Sequence, residues 1–135
     1  MRYAWVMLIG VMVAAGPGIS WSHEGHEAST ETAAENTGTE QTLTGEVVDV
    51  FCYLSHGAKE GLGKGHASCA KHCIQNGLPV AIKVGDQLYL AAMSSHDPAN
   101  TALADLAGEQ VTVHGQVMEL DGQHLISITR VEDAK

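Results

Sequence analysis

Between Cys52 and Cys73 the chain reads Cys-Tyr-Leu-Ser-His-Gly-Ala-Lys-Glu-Gly-Leu-Gly-Lys-Gly-His-Ala-Ser-Cys-Ala-Lys-His-Cys. Three thiols and three imidazoles therefore fall within one short stretch. Thiolate sulfur and imidazole nitrogen are the donors that zinc and copper(I) favour. A helix starting near His66 would place His66, Cys69 and Cys73 at i, i+3 and i+7, projecting from one face. Cys52, at the end of a preceding strand, reaches that face if the helix packs over the body of the protein. Cys52, His66, Cys69 and Cys73 are thus the expected ligands of a copper or zinc ion. His56 is a further candidate, and His72 lies towards the flank. Gly57, Gly61, Gly63 and Gly65 let the intervening backbone wrap closely around a ligand.

The spacing narrows the chemistry. Cys69-x-x-x-Cys73 is not the Cys-x-x-Cys-His of c-type haem attachment, and Ile74 stands where the histidine would be required. It also differs from the Cys-x-x-Cys of thioredoxin-like oxidoreductases. It is similar to the Cys-x-x-x-Cys of exported copper chaperones of the Sco type, a larger fold with which only these two residues match. The three cysteines are an odd number, so a second reading stays open. A disulfide from Cys52 to Cys69 or Cys73 would staple the loop, contributing on the order of 3 kcal/mol. It would leave one free thiol, for redox chemistry or for holding a partner protein. In a third reading the cysteines are structural only, in a module that binds some other ligand. Outside the stretch, Met93 and His96 form a Met-x-x-His pair of soft donors, though Met93 equally suits a core and His96 a loop.

Strand signals surround this stretch. Leu43–Phe51 is β-rich, with Val48, Val50 and Cys52 on one face and Val47, Asp49 and Phe51 on the other. Val80–Val84 and Gln87–Ala92 flank Gly85-Asp86, and Val111–Leu120 and Gln123–Val131 flank Asp121-Gly122; both are two-residue hairpin signals. Leu125, Ile128 and Val131 are the expected apolar anchors of the last strand, with Ile126 turned to the opposite face. His66–Asn76, ended by Gly77 and Pro79, and Asp97–Ala107, opened by an Asp-Pro pair, are the expected helices. Five strands with a helix between the third and fourth give a mainly β chain with short helices, a five-stranded OB-like barrel whose Cys/His loop and helix are inserted after strand 1. On Leu43-Thr44-Gly45-Glu46-Val47-Val48-Asp49 and Gly108-Glu109-Gln110-Val111-Thr112-Val113-His114-Gly115-Gln116-Val117, the chain resembles small bacterial OB-fold proteins exported to the periplasm. That family's functions are diverse, so the resemblance implies a fold and a compartment without an activity.

The N-terminus agrees with export. Arg2 precedes an uncharged apolar run, Ala4–Ala15, too short for a comfortable membrane span and broken by Gly16-Pro17-Gly18. Residues 1–22 read as a secretory signal peptide. Cleavage fits after Ala15 or after Ser22, and the small residues Ser20 and Ser22 favour the second. No stable membrane span would remain after cleavage, and the mature protein would be periplasmic or secreted. His23 would then be the first residue, its free amine and imidazole able to chelate copper(II) with His26 nearby, although a solvated His/Glu tail explains both. Residues 23–42 hold five glutamates, no lysine and no apolar residue larger than alanine, the composition of a disordered acidic tail. Residues 43–135 form the OB-like domain.

Whole-chain composition excludes several classes. At 135 residues and a formal net charge of −9, the chain is one small acidic domain that repels phosphate backbones, so a nucleic-acid partner is not expected. Phosphate loop, nucleophile elbow and zinc-protease helix motifs are all absent from the sequence, so no enzyme activity is expected. The partner this leaves is an exported protein that accepts a metal or offers a thiol.

Overall fold

The computed structural model describes residues 38–133. The chain runs β1 (Thr39–Asp49), α1 (Val50–His56), α2 (Ala58–Gly61), α3 (Ala67–Gln75), β2 (Val80–Val84), β3 (Gln87–Met93), α4 (Asn100–Leu103), a 3-10 turn (Ala104–Leu106), β4 (Gln110–Leu120) and β5 (Gln123–Asp133). The strands close into a barrel in the order β1-β2-β3-β5-β4, with β4 returning to β1. Among the strand pairs of the described residues, only β3–β5 is parallel. The architecture is the OB-like barrel expected, with helices inserted after the first strand. The expected signal peptide, most of the acidic tail and the candidate ligands His23 and His26 lie outside the described residues.

Inward-facing side chains fill the barrel. Val47, Ile82, Val111, Val113, Ile126 and Ile128 are fully buried, joined by Ile74 from α3 and Leu103 from α4. The Asp121-Gly122 turn has both residues at positive φ, 51° and 74°, the conformation of a type I′ hairpin.

Four local expectations are corrected. First, β1 begins at Thr39, because Thr39–Thr42 pair with Val117–His114 on the long β4. Second, β1 ends at Asp49, and Val50, Phe51 and Cys52 belong to α1. The Asp49 side chain accepts hydrogen bonds from the backbone N–H groups of Phe51 and Cys52, so it caps a helix and stops the strand. Third, Ile126 lies in the core, whereas Leu125 is only half-buried. A register shift after His114 leaves Thr129 as an extra residue on β5, so the core face passes from Ile126 and Ile128 to Val131. Gly115 permits it: a Cβ there would lie 2.1 Å from the Ser127 carbonyl oxygen. Fourth, the helix expected over Asp97–Ala107 shrinks to α4 and the 3-10 turn. Pro98 bridges to Ala92, and the Asp97 carbonyl accepts a bond from the Met93 N–H, so the Asp-Pro pair closes a turn after β3 instead of opening a helix.

Candidate metal centre

α1, α2 and α3 occupy the excursion between β1 and β2, and each is fixed by an identifiable contact. Asp49 is fully buried and is the one buried charged residue among those described. Its cap on α1 sets the direction in which Cys52 leaves the barrel, with the Cys52 N–H donating to Oδ2 at 2.9 Å. Gly61 of α2 rests on the α1 backbone, where a Cβ would lie 2.7 Å from Tyr53 Cα and 3.3 Å from the Cys52 carbonyl oxygen. The loop after α2 is tied back to β1 by the Gly63 N–H donating to the Glu46 carboxylate.

α3 has two working faces. Ala70 and Ile74 are buried in the barrel core. Cys69 and Cys73 each precede one of these residues and so lie on the adjoining face, turned towards α1. The C-terminus of α3 closes as a Schellman motif: Gly77, at φ 90°, donates to the Ile74 carbonyl and Leu78 donates to the Cys73 carbonyl. Asn100 of α4 then donates from Nδ2 to the carbonyls of Ile74 and Leu78, both at 2.8 Å, clamping that end of the helix. Lys71 pairs with Asp105 at 2.6 Å across the exposed surface.

This scaffold brings together two groups of donor atoms. The sulfurs of Cys52, Cys69 and Cys73 all lie within 4.8 Å of one another, as do the ligand atoms of Asp49, Cys52 and His66. Cys52 belongs to both. The Cys52 and Cys73 sulfurs are 3.9 Å apart. A disulfide needs about 2.05 Å. Two sulfurs each bound to one ion at about 2.3 Å stand about 3.8 Å apart at a tetrahedral angle and about 4.0 Å apart at a trigonal one. All three cysteines are free thiols, with Cys52 buried, Cys73 half-buried and Cys69 exposed. Nε2 of His66 is buried and without a hydrogen-bond partner. Separation, donor type and an unsatisfied buried nitrogen all fit a metal ion, so these groups can hold one.

The inner thiols are held in their protonated form. The Cys52 thiol is pushed well above the ordinary range, first by hydrogen bonding to the Asp49 carboxylate, then by burial and by Cys73. The Cys73 thiol is also raised, mainly by burial. Without an ion, Cys52 and Cys73 are therefore neutral thiols at neutral pH.

Of the expected ligands, Cys52, Cys69 and Cys73 meet directly, and His66 joins through Cys52 and Asp49 instead of lining up with the outer sulfurs. His66 is the N-cap of α3, and its ligand atom groups with those of Asp49 and Cys52. Neither group includes His56, His72 or His96. His56 is exposed at the end of α1. His72 is exposed and lies against the Asn76 side chain. His96 is exposed at φ 68° in the turn after β3, and Met93 packs against the core. Asp49 was missed: with Leu43–Phe51 taken as one strand, its carboxylate had no assigned role. A helix-capping residue interrupting an apolar run three positions before a cysteine is the signal that would have found it.

Among the described residues no helix is long and apolar enough to cross a membrane. No protein-family model, curated protein or solved structure matches the chain, so the geometry of the site carries its functional reading.

Proposed function

We propose that this is an exported metal-binding protein that carries a copper(I) or zinc ion on Cys52, Cys69 and Cys73. The observation that carries it is the convergence of three free sulfurs from two helices, with Cys52 and Cys73 3.9 Å apart. The graded exposure supports an ion in transit more than a permanent structural one. Cys52 anchors the ion from below, while exposed Cys69 leaves a side on which another protein's donor can compete. Sulfur donors suit copper(I) and zinc and exclude magnesium and calcium as natural occupants. The apolar run behind Arg2 is the basis for placing the protein in the periplasm or outside the cell, with a metal-accepting exported protein as its partner.

Native mass spectrometry of protein purified anaerobically tests this, paired with X-ray absorption at the metal edge. A retained copper or zinc ion with sulfur neighbours at about 2.3 Å is the expected result. Protein that takes up neither ion when all three thiols are reduced overturns it. The closeness of Cys52 and Cys73 also favours a second role, as a thiol-redox or disulfide-stapled adaptor with Cys69 left to engage a partner. In that case the isolated protein is about two mass units lighter than its reduced form and carries no ion.

A further inference from the structure

We infer that Cys52 bridges two adjoining metal positions, an outer one completed by Cys69 and Cys73 and an inner one completed by Asp49 and His66. The inference rests on the metal-binding reading above and extends it to a second ion with a different donor set.

Three observations converge on the inner position. The ligand atoms of Asp49, Cys52 and His66 are mutually within 4.8 Å, a group separate from the outer sulfurs except for Cys52. Asp49 is wholly buried, and beyond its two capping bonds, one to each oxygen, its remaining bond is to the Cys52 thiol, whose proton an ion would displace. His66 Nε2 is buried without a partner, an unfavourable state that coordination of its lone pair to an ion would relieve.

Charge points the same way. Three thiolates and one carboxylate carry four negative charges when all are ionised, the charge of two divalent ions. The two positions also differ in softness. The outer has sulfur alone, suited to copper(I) or zinc; the inner combines oxygen, sulfur and nitrogen, the mixed set that zinc accepts. A thiolate has lone pairs enough to serve both, and Cys52 lies at the one place common to the two groups.

The test is a zinc titration of the reduced, metal-free full chain followed by native mass spectrometry, with circular dichroism to verify the barrel. The unaltered protein is expected to saturate at two zinc ions. His66→Ala and Asp49→Asn are each expected to saturate at one, the second variant keeping a side chain that can still cap α1. Cys69→Ser is expected to weaken one ion at least tenfold and spare the other, and Cys52→Ser to weaken both. Saturation of the unaltered protein at one ion, unchanged by His66→Ala, overturns the inner position while leaving the three-sulfur site standing. Retention of two ions by His66→Ala and Asp49→Asn also overturns it. Failure to bind any zinc or copper(I) overturns both the inner position and the function proposed above.

Discussion

At the scale of single residues, Asp49 and Cys52 form the centre of the molecule's chemistry. Asp49 ends a strand, starts a helix and raises the thiol three positions ahead. Replacing it by alanine removes the cap, at about 1 kcal/mol in general, and frees Cys52 from its acceptor; Asp49→Asn keeps most of the stability. Chemical denaturation of both variants checks the difference. The raised thiols also give the metal-free protein a pH signature. Cys52 and Cys73 titrate in the unfolded chain near the ordinary value of 9.0 but later in the folded one. Their stabilising contribution is complete below that value and declines as the pH rises above it. The denaturation midpoint of metal-free protein is expected to hold between pH 7 and 8, then fall from about pH 9 upward, with a shallower fall in Cys52→Ser. Metal affinity runs in the opposite sense. Each thiol proton that an ion displaces makes binding tighter by about tenfold per pH unit below the thiol range, readable by competition with a chelator.

The elements decide whether these residues meet. α2 has only four residues, yet Gly61 lets it lie directly on the backbone that carries Cys52. In Gly61→Ala a methyl group must push α1 aside, which is expected to destabilise the protein by about 1–3 kcal/mol and to weaken metal binding disproportionately. Asn100→Ala removes two bonds from the end of α3; the Ile74 carbonyl keeps the Gly77 N–H, but the Leu78 carbonyl loses its side-chain donor, at about 1–3 kcal/mol. Thermal denaturation with and without zinc checks both variants. The reach of sequence reasoning is clear at this scale. Both hairpins were legible because Gly85-Asp86 and Asp121-Gly122 are local turn chemistry, and α3 because Gly77 and Pro79 end it. α1 was not, since Val-Phe-Cys-Tyr-Leu reads as strand until one knows that Asp49 caps it. The β5 phase was also hidden, because the bulge is imposed by pairing with Gly115 on β4 and leaves no trace in β5 alone. Likewise, the three cysteines were recognisable by type and spacing, but the grouping of His66 with Asp49 depends on how α3 packs against the end of β1, which spacing alone does not give.

For the molecule as a whole, barrel and metal centre share α3. Cys69 and Cys73 lie with Cys52 in the three-sulfur group, while Ala70 and Ile74 belong to the barrel core. An ion that binds only the folded chain stabilises it by mass action, about 2.7 kcal/mol at a free concentration one hundred times the dissociation constant. The melting temperature is therefore expected to rise with added zinc, with little rise in a Cys52→Ser, Cys69→Ser, Cys73→Ser triple variant. A cavity in the barrel acts differently. Ile128→Ala is expected to cost about 2–5 kcal/mol whether or not metal is present, since Ile128 is fully buried away from the donor groups.

The excursion that carries the site also leaves and rejoins the barrel at neighbouring rungs. Asp49 pairs with Val80, and the Val50 N–H donates to the Pro79 carbonyl. Opening residues 50–79 therefore leaves the β1–β2 ladder intact, but it must release the Gly63–Glu46 and Asn100 bonds and expose Ala70 and Ile74. Hydrogen exchange should register this as two separate populations of amides. Those of α3 exchange early and are slowed when zinc binds, whereas those of β1 and β4 wait for global unfolding. If the proposed site carries an ion, its release rate would then depend on how often this segment opens, and so on how well Ile74 is packed.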